Sequence, residues 1–203
     1  RVVGAAGPTA SGKTAFAIAL AERMNAEIVS ADAMQFYRGM EIGSAAPTPE
    51  ECARVPHHFV SFLPPDAPMA AGEYQRLARA CIAGLAARGK NAIIVGGSGL
   101  YISAVLDGLF DGPPRDPKLR ARLRTEAAEH GNERLFSRLE AVDPEYAASL
   151  TSPNDLIRVV RALEVHALTG TPYSKLHREH RARTGELEAV QFGLAWERAA
   201  LYA

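Results

Sequence analysis

Eight residues near the start of the chain have the composition and spacing of a phosphate-binding loop. Residues 7–14 match the pattern G-x-x-x-x-G-K-[ST] at every fixed position and read Gly7, Pro8, Thr9, Ala10, Ser11, Gly12, Lys13 and Thr14. Glycines in such a loop turn backbone N–H groups toward phosphate oxygens, and the N-terminus of the following helix adds partial positive charge. Lys13 supplies a cation for the outer phosphate, and the Thr14 hydroxyl is a candidate Mg²⁺ ligand. The sequence therefore predicts a site for a diphosphate or a triphosphate.

The loop alone leaves the chemistry open. Most loops of this kind serve transfer or hydrolysis of the γ-phosphoryl group of a nucleotide, but the same cradle can hold a diphosphate as a leaving group. A small-molecule kinase that uses ATP and a nucleotide-binding module without catalysis are therefore both compatible with it. Other residues are needed to discriminate between these readings.

Two further segments, one with Asp32 and one with Ser98, are predicted to face the same pocket. Asp32 follows the strand-like run 27–31, at the carboxyl edge where open α/β sheets bind ligands. It could ligate Mg²⁺ or act as a general base for an acceptor nucleophile. Gln35 and Tyr37 follow closely and would suit a flat base. Ser98 lies in the glycine-rich run 96–101 and could hydrogen-bond a phosphate oxygen.

The first half of the chain alternates strands with helices. Apolar runs predict strands at residues 2–6, 27–31 and 92–95, and apolar spacings of three and four predict helices over residues 14–24 and 74–85. Such alternation implies a parallel sheet with helices on both faces. The fold class is therefore α/β, a P-loop NTPase-like parallel sheet. Residues 39–68 lack a period and are expected to form a functional loop.

From residue 111 onward the pattern becomes helical. Three pairs place a capping side chain before proline and predict helix starts: Asp116-Pro117, Asp143-Pro144 and Ser152-Pro153. Residues 189–196 then read as a strand. We expect a core formed by residues 1–110 plus 189–203, interrupted by an inserted all-helical domain at 111–188.

Composition and charge distinguish poorly among the classes of protein to which this chain could belong. The 23 basic residues balance the 23 acidic ones, so net charge favours neither nucleic acid nor an acidic partner. The two cysteines, Cys52 and Cys81, have no spacing typical of a metal site or a disulfide. We therefore interpret them as unpaired thiols in a reducing cytoplasm. Apolar stretches are too short for a bilayer span. We expect a cytoplasmic monomer without membrane association.

Five motifs in order along the chain resemble the tRNA dimethylallyltransferase family, also called isopentenyl-diphosphate:tRNA isopentenyltransferases. Besides residues 7–14, they are D-A-M-Q-F-Y-R-G-M-E-I-G-S-A-A-P at 32–47, V-P-H-H at 55–58, G-G-S-G-L-Y at 96–101 and N-D-L-I-R-V-V-R-A-L-E-V at 154–165. The resemblance covers nearly the whole chain. It implies transfer of a dimethylallyl group from dimethylallyl diphosphate to N6 of the adenosine 3′-adjacent to the anticodon, which gives N6-isopentenyladenosine.

The resemblance also implies roles for individual residues. Residues 7–14 would hold the diphosphate with Mg²⁺, with Thr14 as metal ligand, and the catalytic residues would be Asp32 as base, Ser98 and Lys13. The helical insert would grip the anticodon arm of the tRNA. The residues expected to face the tRNA are Asp32, Ala33, Met34, Gln35, Ser98, Arg120, Ile157, Arg158, Val159, Val160 and Arg161.

Several positions depart from the family pattern. Ser98 replaces a threonine and keeps the hydroxyl, Ala46 replaces a lysine, and Ile157 stands where glutamine is common. Residues 196–202 resemble the start of a family helix that continues with further arginines, so the chain is expected to be incomplete. A P-loop kinase and an isopentenyltransferase acting on free adenine nucleotides remain the alternatives.

Overall fold

The computed structural model describes residues 1–8, 11–110, 112–182 and 187–197. The strands are β1 (Val2–Ala6), β2 (Ala26–Ser30), β3 (His57–His58), β4 (Asn91–Gly96) and β5 (Ala189–Gly193). The helices are α1 (Lys13–Met24), α2 (Pro49–Arg54), α3 (Ala71–Ala87), α4 (Gly99–Leu106), α5 (Pro117–His130), α6 (Asn132–Val142), α7 (Pro144–Ser149), α8 (Leu156–Thr169) and α9 (Tyr173–Arg181). Thr9 and Ala10 of the phosphate loop, Asp111, Arg183 and the end of the 196–202 motif lie outside the described residues.

The strands form one parallel sheet in the order β3-β2-β4-β1-β5. Consecutive residues of the central strand face opposite sides, so Ile93 packs with Ile18 of α1 while Ile94 packs with Tyr74 of α3. Because both faces are covered by helices, the middle of the central strand β4, residues 92–95, is apolar on both sides. The predicted α/β class with a parallel sheet and helices on both faces is confirmed.

The predicted loop at residues 39–68 contains two short elements. Helix α2 begins after Thr48, whose hydroxyl accepts from the Glu51 N–H while the Glu51 side chain accepts from the Thr48 N–H. Strand β3 extends the sheet by two residues beside β2. The sequence did not predict these elements because six and two residues are too few to show a period.

A compact helical unit spans residues 110–184, and a second unit combines residues 1–109 with 185–203. The helical unit has its own apolar core, built mainly from Leu119, Leu123, Leu135, Leu139, Val159, Val160 and Leu163. Asp116 caps α5 by accepting from the Lys118 and Leu119 N–H groups. Asp143 caps α7 by accepting from the Tyr146 N–H. The first two proline-marked helix starts are confirmed.

The third helix start is wrong. Helix α8 begins at Leu156 and its cap is Asp155, which accepts from the Arg158 N–H, whereas Ser152 and Pro153 lie in a preceding turn. Ser152 and Asp155 are both residue types that cap helices, and the cap is Asp155, which directly precedes the first apolar residue of the helix, Leu156. Strand β5 likewise ends at Gly193 rather than residue 196. Among the described residues, no helix is long and apolar enough to cross a membrane.

Candidate phosphate-binding and catalytic site

A cavity of about 360 Å³ lies at the carboxyl edge of the sheet. The phosphate loop, the turn after β2, the end of β4 and the segment before α2 all contribute to its wall. The lining residues are Ser11, Gly12, Lys13, Thr14, Ala15, Ala17, Ile28, Ser30, Asp32, Gln35, Ser44, Ala45, Pro47, Glu51, His57, Val95 and Gly96. The structure therefore brings the predicted phosphate loop and Asp32 to one cavity.

The described part of the phosphate loop has the backbone that its glycines permit. Gly12 takes a left-handed conformation with φ 82° immediately before α1, and a Cβ at Gly7 would lie 3.0 Å from the Leu194 carbonyl oxygen. Ser11 is buried, and its Oγ has no hydrogen-bond partner among the described residues. This arrangement leaves polar groups at the start of α1 for an anion.

Lys13 lines the cavity with its ammonium group tied to the loop. Its Nζ donates to the Pro8 carbonyl oxygen. Partial burial lowers the pKa of Lys13, and the negative charge of Asp32 opposes that change. The ammonium group and the carboxylate are thus close enough to interact electrostatically. Phosphate could replace the carbonyl as the partner of this cation.

Asp32 lies in a tight turn just beyond β2. Its Oδ1 accepts from the Met34 N–H at 3.1 Å, and its carbonyl oxygen accepts from the Gln35 N–H at 3.2 Å. The preceding residue is fixed to the sheet because the Ala31 N–H donates to the Val95 carbonyl oxygen at 2.6 Å. The carboxylate is therefore presented from a backbone that is hydrogen-bonded on both sides.

The glycine-rich run after β4 braces this turn. A Cβ at Gly96 would lie 2.1 Å from the Ala31 carbonyl oxygen, so only glycine allows the two segments to approach. The Ser98 N–H donates to that carbonyl at 3.2 Å, and the Ser98 Oγ accepts from the Ala33 N–H at 3.1 Å. Accepting this bond leaves the Ser98 hydroxyl proton able to donate elsewhere.

Gln35 fixes the opposite wall of the cavity. The Ser30 hydroxyl donates to its Oε1 at 2.9 Å, and its Nε2 donates to the Ala45 carbonyl oxygen at 3.2 Å. The amide therefore connects strand β2 to the segment that carries Ser44 and Ala45. Sequence reasoning assigned Gln35 to a base-facing role, and it did not anticipate that both ends of this amide have protein partners.

His57 is a cavity residue whose role the sequence did not reveal. Its Nδ1 lies 2.7 Å from the Val55 carbonyl oxygen, while its Nε2 is buried without a partner among the described residues. Burial lowers the pKa of His57, which favours the neutral ring at pH 7. His58 instead pairs with Glu27 at 2.8 Å. Within the described ranges, no group of three His, Cys, Asp or Glu side chains could hold a metal.

The residues of α8 predicted to face RNA divide between surface and core. Ile157 and Arg158 are exposed, and Arg158 makes an exposed ion pair with Asp155 at 3.2 Å. Val159 and Val160 are buried in the core of the helical unit. The prediction that these two valine side chains face the tRNA is not supported, because burial leaves them no surface to offer.

Arg120 and Arg161 form a buried network with Glu164 that the sequence did not predict. Glu164 is fully buried and accepts from Arg120 Nε at 2.7 Å, from Arg161 Nη1 at 2.6 Å and from the Asp116 N–H at 2.8 Å. Arg161 also donates to the Pro113 carbonyl oxygen. Burial raises the pKa of Glu164, but its hydrogen bonds to both arginines outweigh this effect and hold the pKa at about 2. These two guanidinium groups are therefore engaged within the protein.

Comparisons with known proteins identify the family. The family described as IPP transferase matches residues 35–203. A tRNA dimethylallyltransferase of Anaeromyxobacter sp. (strain K) is 52% identical over 203 residues, which are 100% of this chain and 66% of that protein. One from Anaeromyxobacter dehalogenans (strain 2CP-C) is 50% identical over 203 residues, which are 100% of this chain and 67% of that protein.

Two solved structures are also similar. The full-length tRNA isopentenylpyrophosphate transferase of Bacillus halodurans shares 38% identity with a TM-score of 0.62, over 100% of this chain and 62% of that one. A eukaryotic dimethylallyltransferase acting on tRNA shares 26% identity with a TM-score of 0.77, over 97% of this chain and 48% of that one. The chain thus spans about two thirds of the length of the curated relatives. The family resemblance is confirmed, and the chain belongs to the IPP transferase family.

Proposed function

We propose that this protein is a tRNA dimethylallyltransferase, which moves the dimethylallyl group of dimethylallyl diphosphate to N6 of the adenosine 3′-adjacent to the anticodon. Family membership and the names of the relatives support this activity. The observation that carries it is the pairing of a phosphate loop and a carboxylate, Lys13 and Asp32, in one cavity. A leaving-group cradle and a base in one cavity suit alkyl transfer. The reaction is expected in the cytoplasm, by a monomer.

The phosphate loop would bind the diphosphate. Backbone N–H groups at the start of α1 and the Lys13 ammonium would stabilise the negative charge that develops as the diphosphate leaves. The Thr14 hydroxyl lines the same cavity and is an oxygen donor of the kind that Mg²⁺ prefers, so this residue fits the ion. Bound Mg²⁺ would neutralise part of the diphosphate charge.

Asp32 would act as the general base. The exocyclic amine of adenine is a weak nucleophile, so its orientation and a nearby proton acceptor both matter. The N6 nitrogen forms a bond to C1 of the dimethylallyl group while the bond from C1 to the diphosphate oxygen breaks. The Asp32 carboxylate receives the proton that N6 loses. The diphosphate departs with the bonding electron pair.

Ser98 and Gln35 would position this chemistry. Ser98 holds the Ala33 N–H beside Asp32, and its hydroxyl proton is suited to donate to the diphosphate or to the target nucleoside. Gln35 and the neighbouring Met34 lie on the same turn as Asp32 and are proposed to contact the tRNA. Ala46 carries no charge where the family pattern has a lysine, so Lys13 is the cation that we assign to the leaving group.

The helical unit is proposed to bind the anticodon arm. Arg158 and Ile157 are its exposed residues among those predicted to face RNA, and an exposed guanidinium suits a phosphate contact. Arg120 and Arg161 would support this surface indirectly, by holding the segment before α5 against α8 through Glu164. Their contribution to RNA binding is therefore expected to be structural.

The test is incorporation of labelled dimethylallyl diphosphate into unmodified tRNA. Wild type is expected to label the tRNA, and Asp32→Asn should lower the rate by roughly 10²- to 10⁴-fold, the usual contribution of a general base. Diphosphate binding should change little in that variant. Asp66→Asn, an exposed aspartate, serves as the matched control and should retain full rate. Absence of labelled tRNA together with turnover of ATP would favour a kinase and contradict the proposal.

A further inference from the structure

Three large apolar side chains are exposed next to residues of the cavity. Met34 is 47% exposed, Ile42 is 99% exposed and Leu100 is 64% exposed. Met34 lies between Asp32 and Gln35, Ile42 precedes the cavity residue Ser44 by two positions, and Leu100 follows the cavity residue Gly96 by four positions. We call these three residues the apolar rim. A fully exposed isoleucine side chain contributes none of the stabilisation that burial of its apolar surface would give.

The segment that carries Ile42 is held by hydrogen bonds on both sides. Backbone bonds from Ser44 N–H to the Met40 carbonyl and from Ala46 N–H to the Glu41 carbonyl, 2.9 and 3.0 Å long, close a compact turn around it. The Glu41 carboxylate accepts from the Gly39 N–H at 3.0 Å and from the Ser61 hydroxyl at 2.7 Å. Ile42 is therefore an apolar side chain held outward by an ordered turn.

The turn is also coupled to the wall of the cavity. The Gln35 amide donates to the Ala45 carbonyl oxygen at 3.2 Å, and Gln35 follows Asp32 by three residues. The turn that carries Ile42 and the segment that carries Asp32 are therefore connected through this amide. The β-branched Ile side chain has few χ1 rotamers and little conformational entropy to lose on contact.

An adenine amine that reacts in this cavity has to be brought out of the stacked anticodon loop. A base that leaves its stack loses the stacking energy, and the gap it leaves exposes the faces of the two neighbouring bases. In other nucleic-acid complexes, apolar side chains, isoleucine among them, insert between neighbouring bases. We propose that Ile42 is the residue that occupies the gap left by the extruded adenosine, with Met34 and Leu100 contacting the flanking bases; this inference rests on the proposed function.

Extrusion can be measured separately from prenyl transfer. An anticodon stem-loop that carries 2-aminopurine at the target position reports unstacking by a rise in fluorescence, and this base lacks the 6-amino group that reacts. Wild type with this RNA is expected to give the rise. Ile42→Ala should reduce its amplitude severalfold, whereas Ile42→Leu should restore most of it. Leu168→Ala removes an exposed apolar residue of α8 and should leave the signal unchanged.

Prenyl transfer provides a second readout. Ile42→Ala should lower kcat/KM by roughly tenfold on the adenosine stem-loop, because the variant would lose part of the compensation for unstacking the target base. It should have less effect on an unstructured oligonucleotide of the same loop sequence, whose target base is not stacked. An unchanged fluorescence rise in Ile42→Ala, or equal losses on both RNAs, would overturn the inference. Failure of wild type to bind or prenylate any RNA would instead contradict the proposed function.

Discussion

The phosphate loop and helix α8 both contain family motifs, but the side chains of the first line a cavity and most of those of the second are buried or paired. At the sheet edge, Ser11, Gly12, Lys13 and Thr14 all line one cavity, so that motif forms a binding surface. In α8, most of the motif turns inward: Glu164 is buried, and Arg161 is paired with it. A family motif can thus specify an internal ion-pair network as readily as a contact surface. Burial of the side chains distinguishes the two cases.

Removal of the central carboxylate should give the largest effect on stability. Glu164→Ala leaves Arg120 and Arg161 without their shared partner in a poorly hydrated site, and it should destabilise the helical unit by about 3–5 kcal/mol. Denaturant unfolding followed by circular dichroism measures this change. Glu145→Ala breaks an exposed pair with Arg178 and should cost less than about 1 kcal/mol. Equal effects of the two variants would contradict a special role for the buried network.

The apolar strand pattern and the phosphate-loop motif were sufficient to predict the parallel sheet and the phosphate site from sequence. Glycines and the Gly-Lys-Thr run specify a local backbone, so the phosphate site followed directly from residue order. The position of Asp32 followed from the rule that ligands bind at the carboxyl edge of a parallel sheet. What sequence could not supply was the Gly96 contact with Ala31, since a close approach between distant segments leaves no periodic signal.

The role of helix α8 was harder to predict, because the type of a polar residue does not indicate whether its side chain is exposed or buried. The apolar spacing of Leu156, Val160 and Leu163 already placed Val160 inside, and this signal conflicted with its assignment to the RNA surface. The pairing of Arg161 and Glu164 at i and i+3 is short-range and could have been considered. The third partner, Arg120, comes from another helix and depends on tertiary packing.

The pH dependence of stability is a second test of the buried ion-pair network around Glu164. The pKa of Glu164 lies at about 2 in the folded protein, below its ordinary value, so the charged form stabilises the fold. This contribution is fully present above the ordinary carboxyl pKa of about 4.3 and is lost as pH falls through the folded value. The stability difference between wild type and Glu164→Gln, measured by urea unfolding, should therefore be constant from pH 8 to 6 and shrink between pH 4.5 and 2. A difference independent of pH would mean that Glu164 is not charged in the native state.

The smallest effect is expected at the exposed end of α8, and it concerns RNA rather than stability. Arg158→Ala should weaken binding of an anticodon stem-loop severalfold and reduce the magnitude of its salt slope by about 1, the signature of one lost phosphate contact. Unfolding free energy should change by less than about 0.5 kcal/mol, because the Arg158 side chain is 62% exposed. Arg134→Ala is the matched control, since that side chain is 63% exposed and paired within the same unit. If both variants shift the salt slope equally, the binding is general attraction to a basic surface; if only Arg158→Ala does so, α8 is divided between a contacting residue at position 158 and a structural one at position 161.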